Sequence, residues 1–140
     1  MADRPEYTKA RRIAVFCPVS PATISALARG ELSALAGDPV GGRILAYIER
    51  CADLGDFGAY RGVCEVAIGL EAFTSGAHAR PAMGSAGERS HSATAVITTY
   101  ARDSISDERL DTLLQELCAL HPWEVPVIEV AAVTLVGRRV

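Results

Sequence analysis

DERLDTLLQELCALHPWEVPVIEVAAVTLV, residues Asp107–Val136, is the stretch whose reading decides the fold. Leu110, Leu113, Leu114, Leu117 and Leu120 recur at helical spacing and predict one apolar stripe on a helix from Asp107 to Leu120. Ser104 or Ser106 can cap that helix, and Asp107 and Glu108 suit its positive N-terminal end. Pro122 and Pro126 cannot continue it, so His121-Pro122-Trp123-Glu124-Val125-Pro126 reads as a stiff corner. Beyond the corner, Val127 to about Val136 predicts a strand with apolar residues on both faces. Val127, Ala131, Val133 and Leu135 fall on one side; Ile128, Val130, Ala132 and Val136 fall on the other.

Working outward, Arg12–Cys17 is a short apolar run stopped by Pro18, a first strand. Ser20-Pro21 offers an N-cap followed by proline at the first helical position. Roughly helical spacing continues from Ile24 to Leu35, interrupted by Gly30, until Gly37-Asp38-Pro39 breaks it. Ile44, Tyr47, Ile48 and Cys51 share a face of another helix, which Gly55-Asp56-Phe57-Gly58 closes as a cap and turn. Val63–Ile68 and Ala93–Tyr100 predict two more strands, with residues 74–91 a Gly-, Ser- and Ala-rich loop between them. Residues 1–10 read as a flexible lead-in and 11–140 as one domain. The order strand, helices, strand, strand, helix, strand predicts an α+β, ferredoxin-like βαββαβ antiparallel sheet, helices on one face, with a helical insertion after the first strand. An apolar second face on the last strand would otherwise stay wet, so self-association through the sheet, as a dimer or trimer, is expected.

Composition sets bounds. The chain has 140 residues, a net charge of −3 and 49% hydrophobic residues, which fits one globular domain and gives no electrostatic footprint for nucleic acid. Lys9-Ala10-Arg11-Arg12, the one basic cluster, reads as a solvated flank of the first strand. No apolar stretch is long enough to span a bilayer and the N-terminus lacks a signal-peptide core, so a cytoplasmic protein without a membrane partner is expected. Cys17, Cys51, Cys64 and Cys118 form no C-x-x-C pair and are expected to be buried, reduced thiols. No short-spaced His/Cys set exists for a metal, and no glycine motif for a nucleotide, so neither metal nor cofactor is expected.

Gly58-Ala59-Tyr60, Cys64, Phe73, Ala79-Arg80-Pro81, Gly84, Gly87 and the corner His121–Pro126 together resemble the small ferredoxin-like domain of the NGG-interacting-factor-three family. That family shows a similar G-x-Y…C…F…P-x-x-G…H-P-Y-E-x-P series. The same corner resembles the CutA-type divalent-ion-tolerance proteins, small trimers of the same topology. The resemblance covers residues 58–136 and the first strand at 13–17, and Trp123 stands where tyrosine is more common. It implies the fold and an oligomeric module. Full-length members of the first family carry a dimetal site in flanking domains. This chain has only three histidines, His78, His91 and His121, so that chemistry does not carry over.

Candidate chemistry gathers at two places. At the corner, His121 can act as acid or base beside Glu124, or instead cap the carbonyls of the preceding helix. In the 74–91 loop, Arg80 can clamp a carboxylate or phosphate in a bidentate fork, Glu88 is a further candidate ligand-binding residue, and His91 offers a second acid or base; the alternative is a solvated connection. Tyr60 and Trp123 add ligand-facing aromatic surface. Cys64 with Tyr60 and His121 would be a nucleophile only if the fold assembles them; a strand cysteine usually packs. Two functions follow. One is an oligomeric module binding a small ligand or partner protein at a subunit-interface cleft. The other is a small metal-independent isomerase, cyclase or lyase using a His acid/base and the Arg80 anchor.

Overall fold

The computed structural model describes residues 4–82 and 84–138. Its elements are β1 (Glu6–Pro18), α1 (Pro21–Ala28), α2 (Ser33–Ala36), α3 (Gly41–Arg50), β2 (Glu65–Thr74), β3 (Arg89–Arg102), α4 (Asp107–Leu120) and β4 (Val127–Gly137). One four-stranded sheet has the order β2-β3-β1-β4, every neighbouring pair antiparallel. This is the α+β, ferredoxin-like arrangement that the element order predicts.

Strand alternation sorts the side chains. Ile13, Val15 and Cys17 of β1 lie opposite Thr99, Ile97 and Ala95 of β3 and face the helices. Against them pack Leu35, Ile44, Leu45, Ile48, Leu113 and Leu117. Of the α4 stripe, Leu110, Leu113 and Leu117 are buried, while Leu114 and Leu120 pack at the margin. Ser106 caps α4, its hydroxyl accepting the Arg109 N–H at 3.0 Å. Ser20 caps α1, accepting the Thr23 N–H at 3.1 Å, with Pro21 in the first turn.

Several expectations are corrected. Glu6–Ala10 is not a flexible lead-in but the start of β1, paired with Gly137–Val133 of β4. Main-chain pairing holds this segment, so its charged side chains conceal the strand. Met1–Asp3 lie outside the described residues. β2 runs on to Thr74 and β3 begins at Arg89, because residues 69–74 pair with 89–94 as a ribbon beyond the helices. Gly55 does not cap α3, which ends at Arg50. At φ +65° it sits where an added Cβ would meet Val63 N at 2.5 Å. Cys17 and Cys51 are buried, but Cys64 is half-buried and Cys118 is exposed, off the α4 stripe.

The second face of the sheet is less apolar than β4 alone suggested. Phe16, Val96, Val127, Ala131, Val133 and Leu135 share it with Arg12, Glu65, Glu71, Glu129, Thr94 and Thr98. Bare apolar side chains concentrate on the edge strands instead. Ile68 and Leu70 of β2 are 50% and 72% exposed; Val130 and Val136 of β4 are 40% and 63% exposed. The helices do not reach far enough to cover them. No helix among the described residues is long and apolar enough to cross a membrane.

Candidate functional site: the corner and its cleft

Proline after His121 forces the chain out of α4. The His121 backbone is extended (φ −80°, ψ 133°), and its N–H donates to Cys118 O at 3.1 Å. The backbone, not the ring, therefore serves the helix end. The ring turns inward and is buried. Nε2–H donates to the Phe16 carbonyl of β1 at 2.5 Å, and Nδ1 accepts the Trp123 N–H at 3.2 Å. A carbonyl can only accept and an amide N–H can only donate, so the pair selects the neutral Nε2–H tautomer. Burial lowers the His121 pKa below 6.5, against the Phe16 bond and the Glu71 charge, which act to raise it. The Trp123 ring lies at 4.9 Å from the imidazole, tilted by 55°. Neither ring nitrogen is left for proton transfer unless a backbone bond breaks.

Glu124 does not touch His121. Its Oε2 accepts the Arg80 backbone N–H at 2.7 Å and so ties the loop between β2 and β3 to the corner. The loop spans residues 75–88 and is closed on itself by Ser75 N–H to Glu88 O at 3.2 Å and Gly87 N–H to Ser75 O at 2.7 Å. Between loop and corner lies a cleft of about 270 Å³, lined by Glu71, Phe73, Thr74, Ser75, Gly76, Ala79, Pro81, Ala82, Trp123, Glu124 and Val125. Glu71 and Phe73 reach it from the second face of β2.

The predicted residues divide accordingly. Trp123 and Glu124 line the cleft, and Arg80 contributes its backbone N–H. His121 sits behind as a clamp. Glu88 is exposed and contributes backbone groups, its carbonyl accepting from Ser75 N–H and its N–H donating to Ser85 O at 3.2 Å. His91 is exposed opposite Ala72, on the helix-side face, away from Glu71. Tyr60 is 72% exposed at the other end of the sheet, where its carbonyl accepts the Phe57 N–H at 2.8 Å. Cys64 packs at the core margin, its thiol pushed up by burial and by Glu49. The Cys64–Tyr60–His121 arrangement is thus not assembled.

Glu71 and Phe73 are the site residues that sequence reasoning missed. The alternation Gly69, Glu71, Phe73 was the available signal, hidden by ending the strand at Ile68. A larger groove, about 680 Å³, lies at the opposite end of the second face between Phe57, Tyr100, Arg102, Leu135 and Arg138. Its charge is mixed, and Arg102 is already bonded to the Asp56 carbonyl at 3.4 Å. Among the described residues, no group of three or more His, Cys, Asp or Glu side chains is placed to hold a metal ion.

No family model and no curated protein matches the sequence. Solved structures do match. A Bacillus cereus protein related to NIF3 superposes with a TM-score of 0.56 at 14% identity, over 98% of this chain and 29% of that one. The periplasmic divalent cation tolerance protein CutA from Archaeoglobus fulgidus matches at a TM-score of 0.42 and 13% identity, over 87% of this chain and 81% of that one. CutA from Synechococcus elongatus gives 0.41 and 12%, over 96% and 83%. This chain therefore spans less than a third of the length of the Bacillus protein and resembles that part of it in fold.

Proposed function

We propose that this chain is a self-associating ferredoxin-like module that holds a small ligand in the corner cleft, and that it is not an enzyme. The observation carrying the self-association is the bare apolar character of both sheet edges: Ile68 and Leu70 on β2, Val130 and Val136 on β4. Long edge strands with unpaired main-chain groups template further pairing unless something covers them. The occupant that fits is a second copy. β4 runs antiparallel to β2, so β4 of one chain beside β2 of the next continues an all-antiparallel sheet. Such a head-to-tail contact is repeated by every copy, and a ring results where the rotation from one copy to the next closes. Val125, 77% exposed at the cleft rim, leads directly into β4 and brings the cleft close to that interface.

The positions of the candidate bases favour binding over the enzymatic reading. His121 has both nitrogens committed to backbone partners, and His91 and Tyr60 lie outside the cleft. A native mass spectrum of freshly purified protein tests the proposal. The expected result is an oligomer carrying a reproducible small extra mass, lost in Trp123→Ala. A bare single chain would refute it.

A further inference from the structure

We infer that the corner cleft takes a small organic cation, an alkylammonium group seated between two carboxylates and two aromatic rings. The inference rests on the reading that this cleft holds a small molecule, and it names the class. Among the described lining residues the only charged ones are Glu71 and Glu124; no Lys, Arg or His side chain lines the cleft. His121 behind it is held neutral, and Arg80 offers Glu124 its backbone N–H. The local field is therefore negative and repels anions.

Phe73 and Trp123 supply the remaining walls with Ala79, Pro81 and Val125. Aromatic faces attract cations through the ring quadrupole, worth about 0.5–2 kcal/mol depending on desolvation. A hard metal ion gains little here, since it requires about six or more oxygen ligands and Glu124 already spends one oxygen on Arg80. An alkylammonium gains from both wall types at once. A volume of about 270 Å³ limits the ligand to a few carbons beyond the charged nitrogen.

Glu71 also has an unpartnered polar neighbour within the sheet. Ser92, its cross-strand partner on the same face, is 3% exposed. Its hydroxyl is the one buried side-chain polar atom without a hydrogen-bond partner among the described residues. This unmet hydroxyl lies across the strand from Glu71 and is not among the residues that line the cleft.

Trp123 is the only tryptophan, so its fluorescence reports on the cleft. The test titrates the full chain, at constant ionic strength, with choline, with its neutral carbon isostere 3,3-dimethylbutan-1-ol, and with 3,3-dimethylbutanoate. Ligand-detected saturation-transfer NMR on the same samples covers binding that leaves fluorescence unchanged. Saturable binding of choline is expected, at least tenfold tighter than the alcohol, with none by the carboxylate. Glu71→Gln should weaken choline at least fivefold and leave the unfolding temperature unchanged; Glu124→Gln, which keeps an acceptor for Arg80, should weaken it likewise. Equal binding of choline and the alcohol, or preference for the carboxylate, would overturn the cation inference while leaving a ligand cleft standing. Silence from all three probes would overturn both.

Discussion

At the scale of single residues, His121 shows how the same chemistry serves structure or catalysis according to its partners. An exposed imidazole beside a carboxylate can move protons. This one donates to Phe16 O and accepts from Trp123 N–H, and so pins the end of β1 to the corner. Replacing it with alanine leaves a buried carbonyl and an amide unmet, a loss of about 2 kcal/mol. The sign of its pH dependence follows from the lowered pKa. Above about 6.5 the ring is neutral in both folded and unfolded chains, and its contribution is complete. As pH falls below that value the unfolded chain takes up the proton first, and stability drops until the folded pKa is passed. Urea unfolding from pH 7.5 to 5 should show this decline in the wild type and a flatter profile in His121→Ala. Arg80→Ala should leave stability nearly unchanged, because only its backbone N–H is used. The proline corner was legible from the sequence. The ring's partner was not, since Phe16 lies 105 residues away.

Among the elements, the helical layer between β1 and β2 depends on Asp38. Read along the chain, Gly37-Asp38-Pro39 is a helix breaker. In the fold, its buried carboxylate is a clamp. Oδ2 accepts from Ser20 N–H at 3.0 Å and the Thr23 hydroxyl at 2.7 Å; Oδ1 accepts from Val40 N–H at 3.0 Å and Gly41 N–H at 2.9 Å. One side chain thus joins the start of α1 to the start of α3. Burial acts to raise its pKa, but these four hydrogen bonds outweigh it and hold the value below 3.8. The clamp is complete at neutral pH and is lost as pH falls through the folded value. Asp38→Asn turns an NH₂ group toward one pair of donors, whichever way the amide is set. It should cost about 3 kcal/mol in urea unfolding at pH 7. The α4 leucine stripe and the Ser20-Pro21 start were legible because their signals are local and periodic. The outer reaches of β1, β2 and β3 were not. Residues 6–10, 69–74 and 89–92 are held by main-chain pairing beyond the helices, and their mixed side chains leave at most a weak alternation, as at Gly69, Glu71 and Phe73.

For the whole molecule, the helices cover the middle of one sheet face and leave both edges and both ribbon ends bare. That shape was only partly legible. The two-faced apolarity of β4 pointed to a partner, but from a strand alone the contact looked like face-to-face packing. The register moves the emphasis to the edges, because the second face also carries Arg12, Glu65, Glu71 and Glu129. Assembly through β2 and β4 would cover Ile68, Leu70, Val130 and Val136 together and set each corner cleft near a neighbouring chain. The most direct measurement is sedimentation velocity on the wild type and on Val130→Asp at tens of micromolar chain. Val130 is 40% exposed, so the aspartate can fold in place. The account predicts a discrete oligomer for the wild type and a single chain for Val130→Asp, with matching far-UV circular dichroism. A wild type that sediments as a single chain would contradict it.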